Sequence, residues 1–99
     1  MDIDQIETFL AIAQVGGFTR AVSRLRRSQP AISRRLSLLE TELGAPLLER
    51  VRGAVQLTDV GRAFLPYAEA MLAAMNDGRE VVRGQLREGE LVPANRTGG

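Results

Sequence analysis

The stretch Ser28-Gln29-Pro30-Ala31-Ile32-Ser33-Arg34-Arg35-Leu36-Ser37-Leu38-Leu39-Glu40 reads as a helix with one dry face and one polar, basic face. Ser28 suits an N-cap, because its hydroxyl can accept from a free backbone N–H of the first turn. Pro30 fits only in that first turn, where a missing N–H costs nothing. Ile32, Leu36, Leu39 and Leu43 recur at helical spacing and form one apolar stripe. At roughly 100° per residue, Pro30, Ser33, Arg34, Ser37 and Thr41 point the other way. That face carries no carboxylate. Short polar side chains let a helix lie deep in a groove. An arginine can grip a guanine edge bidentately, and Gln29 can grip an adenine edge in the same way. The plainer alternative is a solvated polar face, which any amphipathic surface helix has.

The surrounding charge favours the first reading. Between Thr8 and Leu39 there are six arginines (Arg20, Arg24, Arg26, Arg27, Arg34 and Arg35) and no acidic residue. The carboxylates sit at Asp2, Asp4 and Glu7 before this block and from Glu40 onward after it. A segregated basic block is the footprint of a polyanionic partner, although the whole 99-residue chain has a net charge of only +1. A purely protein-binding helical module, the competing function, gives no reason to exclude acids from residues 8–39.

Upstream, Asp4-Gln5-Ile6-Glu7 predicts a capping-box start. With Ile6, Phe9, Leu10, Ile12 and Ala13 at helical spacing, a first helix is expected over about residues 5–15. Gly16 suits the left-handed residue after it, and Gly17 the N-cap of a second helix. Phe18, Ala21, Val22 and Leu25 make that second helix's apolar face. A short helix, a tight connection at Arg26-Arg27 and a longer helix from Ser28 form a helix-turn-helix pattern, with Ala21 permitting close approach. Gly44 and Pro46 end the third helix.

Downstream, Leu47-Leu48-Glu49-Arg50 and Val55-Gln56-Leu57 read as two short strands. They are joined by a turn at 51–54, in which Gly53 supplies the unusual backbone angle. This hairpin is a wing, and Arg50 and Arg52 at its tip can reach phosphates or a minor groove. A solvated turn with incidental arginines is the plainer alternative.

From Thr58, a cap, the chain predicts a helix to about Arg87. Val60, Phe64, Tyr67, Met71, Ala74, Met75 and Val82 fall on one stripe, widened by Leu65, Ala68 and Leu72. This is more apolar surface than one helix can bury on a small domain. Part of it should pack on the first helix and the rest on a second copy of the chain. Pro66 predicts a kink, and Gly78 and Gly84 weaken the far end. The run 89–99 reads as a flexible tail or a connection to a further domain.

Several functions are disfavoured. There is no Cys and no His, so a thiol nucleophile, a disulfide and a Cys/His zinc site are excluded. General acid–base work would rest on carboxylates, Arg or Tyr67, and no constellation suited to an enzyme appears. No cofactor and no metal are expected. Neither a signal peptide nor an apolar run of about 18–20 residues is visible, which predicts a cytoplasmic protein without a membrane partner.

These parts together resemble the N-terminal winged helix-turn-helix domain and linker helix of LysR-type bacterial transcription regulators. The resemblance rests on Phe9, Gly16-Gly17-Phe18-Thr19, Ala21 with Leu25, Ser28-Gln29-Pro30-Ala31 followed by Ser33, and Leu39-Glu40 with Leu43-Gly44. Arg50 and Leu57-Thr58 with Gly61 complete it, and the combined order and spacing cover about residues 1–86. Gly17 stands where Ser is common, Leu48 where Phe is common, and Gly78 and Gly84 are less usual in the linker.

The resemblance implies a mostly α fold: a winged helix-turn-helix of three helices and a short β-hairpin wing over 1–57, followed by a long linker and dimerisation helix over 58–88. It implies a homodimer through the linker helices, with two recognition helices in successive major grooves of double-stranded DNA at an interrupted palindrome. Gln29, Pro30, Ser33 and Arg34 would touch bases. Thr19, Arg20, Ser28, Arg35 and Ser37 would touch the backbone, and Arg50 and Arg52 would serve the wing. The expected dimer interface is Phe64, Tyr67, Ala68, Met71, Leu72, Met75 and Val82. Members of the family continue into an effector domain that senses a small-molecule inducer, so this chain is expected to be the DNA-binding part alone.

Overall fold

In the computed structural model, which describes residues 1–88, the elements follow in the order α1 (Ile3–Val15), α2 (Phe18–Leu25), α3 (Gln29–Leu43), β1 (Leu48–Val51), β2 (Ala54–Leu57) and α4 (Asp59–Arg87). The expectation for 89–99 lies outside the described residues.

Helix α1 starts two residues before the expected position. Asp2, not Asp4, is the N-cap: its carboxylate accepts the Gln5 N–H at 2.8 Å, and the Gln5 side chain accepts the Asp2 N–H at 3.3 Å. The same cap-and-box spacing is satisfied by Asp2 and Gln5 one half-turn earlier. That shift leaves Asp4 in the first turn, where its charge complements the helix dipole. Thr8 is buried, but its hydroxyl donates to the Asp4 carbonyl at 2.7 Å, so no polar group is stranded.

Helix α1 is the centre of the core. Its Ile6, Phe9, Leu10 and Ile12 meet Ala21 of α2, Ile32, Leu36 and Leu39 of α3, Leu47, the hairpin's Leu48 and Val55, and Ala68 of α4. The expected stripe of α3 is thus confirmed at Ile32, Leu36 and Leu39. Leu43 departs from it and is 37% exposed, because it closes the last turn of α3, beyond the buried run that ends at Leu39.

The helix-turn-helix forms as the sequence predicts, with Gly16 left-handed and Gly17 at the N-cap of α2. Its turn holds a surprise at Arg26, which adopts φ 56° while its N–H closes on the Val22 carbonyl at 2.8 Å. Left-handed backbone is costly for a residue with a Cβ. The connection to α3 is short enough to require it.

The hairpin is tighter than expected. Both strands reach one residue further toward the turn, pairing Leu48 with Leu57 and Val51 with Ala54. Only Arg52 and Gly53 remain between them, at φ 55° and 81°. Positive φ at both central residues is the requirement of a mirror-image type I′ turn, whose twist matches the strands. A four-residue loop was expected because a left-handed arginine leaves no mark in composition.

Helix α4 is capped as predicted. The Thr58 hydroxyl accepts the Gly61 N–H at 2.9 Å and donates to the Pro46 carbonyl at 2.7 Å. Gly61 has to be glycine, since a Cβ there would lie 2.1 Å from the Leu47 carbonyl oxygen. The helix runs unbroken through Pro66 to Arg87. Its first half packs on α1, with Phe64 5.7 Å from Phe9 between ring centroids.

Candidate nucleic-acid interface

Ser28 caps α3 by accepting the Ala31 N–H at 3.3 Å, which leaves the hydroxyl proton available to an outside acceptor. Gln29, Pro30, Arg34 and Ser37 are exposed along α3, and Ser33 is half-buried among them. The helix therefore presents the polar face that its spacing predicts. Thr19 and Arg20, in the first turn of α2, are exposed too.

These side chains do not converge on one concavity. Thr19, Arg20 and Gln29 share a cleft with Phe18, Arg50 and Gly53, at the start of α2. Ser33 and Ser37 line a groove of about 240 Å³ between α3 and the wing, with Arg50 on its far wall. Arg50 thus stands between the two clefts. Arg34 and Arg35 open on the opposite flank of α3, beside Asp2, Asp4 and Leu38.

Two of the expected roles change with the geometry. Arg50 is not at the wing tip: it lies within β1, paired across the hairpin with Val55. Its guanidinium sits over the Phe18 ring, 5.1 Å from the centroid, a cation–π contact that holds it against α2. Arg52 alone occupies the tip. Arg35 is half-buried and donates to the Ala31 carbonyl at 3.4 Å, so it is partly committed within its own helix.

The six arginines of the acid-free block divide by partner. Arg24 donates to the Gln14 side chain at 2.6 Å, and Arg27 lies 3.6 Å from Asp4. Among the described residues, Arg20, Arg26 and Arg34 make no ion pair. The basic block is therefore balanced in three dimensions at one point, by Asp4, which precedes it in sequence.

Glu40 is committed within the fold: its Oε2 accepts the N–H groups of Leu47 and Leu48, at 2.6 and 3.2 Å. Sequence reasoning missed this role, which reaches across the chain reversal after Gly44, and the Phe18–Arg50 contact, which joins two distant elements.

The expected dimer interface also divides. Ala68 is fully buried in the chain's own core and is not available to a partner. Phe64, Met71 and Leu72 are partly buried against the same core, and Met75 is half-buried. Tyr67 and Val82 are exposed, at 69% and 57%. Val60, Val81 and Leu86, outside the expected set, are exposed as well.

Among the described residues no cluster of His, Cys, Asp or Glu could hold a metal ion, and no helix is long and apolar enough to cross a membrane.

Residues 3–62 match the bacterial regulatory helix-turn-helix family of LysR proteins. The chain belongs to the LysR family. A curated relative, an uncharacterized HTH-type transcriptional regulator in the ibpB-leuC intergenic region of Azotobacter vinelandii, is 39% identical over 82 residues, or 83% of this chain. The match takes in 57% of that relative's length. Among solved structures, the DNA-binding domain of CbnR in complex with DNA superposes with a TM-score of 0.78 at 36% identity, covering 87% of this chain and 99% of that one. The DNA-binding domain of BenM, with a catB site 1 DNA, superposes at 0.81 and 31% identity, covering 87% and 96%. The winged LysR fold is thus shared over 87% of this chain with each of the two domains.

Proposed function

We propose that this chain is the DNA-binding end of a LysR-type transcription regulator, acting as a homodimer on an interrupted palindrome in double-stranded DNA. The observation that carries the reading is the exposed, acid-free face of α3, flanked by a wing that ends in Arg52. The DNA-bound forms of the two superposable LysR domains support it. Gln29, Pro30, Ser33 and Arg34 read base edges from the major groove. Thr19, Arg20, Ser28 and Ser37 contact the sugar-phosphate backbone and set the register, together with the part of Arg35 left free. Arg52 reaches the adjacent backbone from the wing tip, and Arg50 serves the cleft wall.

The second copy is held by α4 through Tyr67, Met75 and Val82, continuing to Val81 and Leu86. The whole regulator works in the cytoplasm, is not an enzyme, and receives its small-molecule inducer through an effector domain that follows the linker helix.

Fluorescence anisotropy tests this reading with a palindromic duplex selected from a random pool and a scrambled control, across a salt series. Preference for the palindrome, with affinity falling steeply as salt rises, is expected. Equal binding to both duplexes would leave only a non-specific basic surface. The Arg34→Ala variant should lose about 1–3 kcal/mol of binding and relax specificity at one base position. If it bound every duplex as the parent does, the reading face would be misassigned.

A further inference from the structure

We propose that Glu40 is a positioning residue that sets the wing against the recognition helix, a role that rests on the DNA-binding reading above. A hairpin of two four-residue strands has little stability of its own. What aims its tip is therefore the way its strands are held. Thr58 and Glu40 tie the root, while Arg50 over Phe18 and the Val55 N–H toward Gly16 hold the hairpin nearer its turn. The Thr58 N–H donates to the Leu47 carbonyl at 2.9 Å, and the Thr58 hydroxyl to the Pro46 carbonyl, both from the start of α4. The Val55 N–H reaches the Gly16 carbonyl at 3.4 Å, toward α1. The other tie at the root is Glu40, and among the described residues it supplies the only hydrogen bonds from an α3 side chain to this root.

The chemistry of the Glu40 tie is stronger than that of the others. One carboxylate oxygen takes two N–H groups from consecutive residues, and bonds to an ionised acceptor are shorter and stronger than neutral ones. Leu47 and Leu48 are 0% and 8% exposed, so water cannot readily replace the acceptor. Glu40 is also the residue that ends the acid-free run. It brings a negative charge to the groove lined by Ser33, Ser37 and Arg50. A polyanion disfavours such a charge, and its two N–H bonds are what the residue provides in return. From α3, the spacing between the reading face and Arg52 is then set by one side chain, which accepts from donors seven and eight residues further along the chain.

The test crosses Glu40→Ala and Glu40→Gln with Arg52→Ala on the selected palindrome in a salt series, and measures backbone 15N relaxation on each free protein. In the parent and in Glu40→Gln, whose amide oxygen still accepts, Arg52→Ala should reduce the salt slope by about one. In Glu40→Ala the same substitution should change the slope by nothing, because a wing no longer aimed has lost its contact. In the free Glu40→Ala protein, order parameters at residues 50–54 should fall below about 0.6 while α3 stays near 0.85. Additive effects of the two substitutions, or a wing that stays rigid without Glu40, would overturn the proposal. Should Glu40→Ala fail to fold, Glu40→Asp replaces it, since a side chain one methylene shorter keeps the charge but loses the reach. If the parent binds no duplex, the DNA-binding reading fails, and the relaxation data still decide whether Glu40 holds the wing.

Discussion

The two halves of α4 are one continuous helix with two different environments. In the first half, Gly61 sits against the Leu47 carbonyl, Phe64 meets Phe9, and Ala68 is sealed in the core. In the second half, from Ala73 to Arg87, every residue is exposed except half-buried Met75 and Gly84. Both halves carry apolar side chains, so hydrophobicity alone does not assign them. The difference is the reach of α1, which covers the first half and ends before the second. An apolar residue there has nothing in its own chain to pack on, which is the reason for placing a second copy along Val81, Val82 and Leu86.

The largest effect that would break this division is expected at its packed end. Phe9→Ala removes the ring beneath Phe64 and should cost about 3–5 kcal/mol of unfolding free energy. Val82→Ala should cost no more than about 0.5 kcal/mol at concentrations where the chain is monomeric. Chemical denaturation of the two variants checks this, and equal costs would mean that both halves share one core.

Gly61→Ala sharpens the same boundary. The added methyl meets a backbone oxygen that cannot turn aside, so the start of α4 has to shift, at about 1–3 kcal/mol. Thermal melting should show a clear drop in Tm. An unchanged Tm would show that the junction of β1 and α4 is looser than its hydrogen bonds indicate.

A smaller change, of opposite sign, is expected at Arg26. Glycine relieves the left-handed strain but enlarges the unfolded ensemble, so Arg26→Gly should stabilise by no more than about 1 kcal/mol. A loss of stability would mean that the arginine side chain contributes more than its backbone costs.

The smallest effect on monomer stability, about 0.5 kcal/mol or less, is expected for Val82→Glu. The same substitution should abolish dimers in sedimentation velocity, where the parent forms them. A dimer that survives it would move the seam toward Tyr67 and Met75.

Much of the site is local chemistry and was legible for that reason. Ser28 with Pro30 announces the start of α3, Gly44 its end, and the period of Ile32, Leu36 and Leu39 its buried face. The opposite face of the helix follows from the same period. Other features escaped the local pattern. The sequence pointed to Asp4 as the cap of α1, whereas Asp2 caps it and Gln5 completes the box. Arg50 looked like a tip residue, yet the tighter turn at Arg52-Gly53 draws it into β1 and over Phe18.

From sequence alone came the helix-turn-helix, the wing, the long helix and the polar face of α3, because caps, turns and hydrophobic period act over a few residues. Tertiary structure alone decided that Glu40 holds the root of the wing, that Arg27 is balanced by Asp4, and that Ala68 belongs to the core rather than to a partner. Those outcomes turn on which groups meet across the fold. A one-dimensional pattern records which face of a helix is apolar, and the packing of α1 determines what covers it.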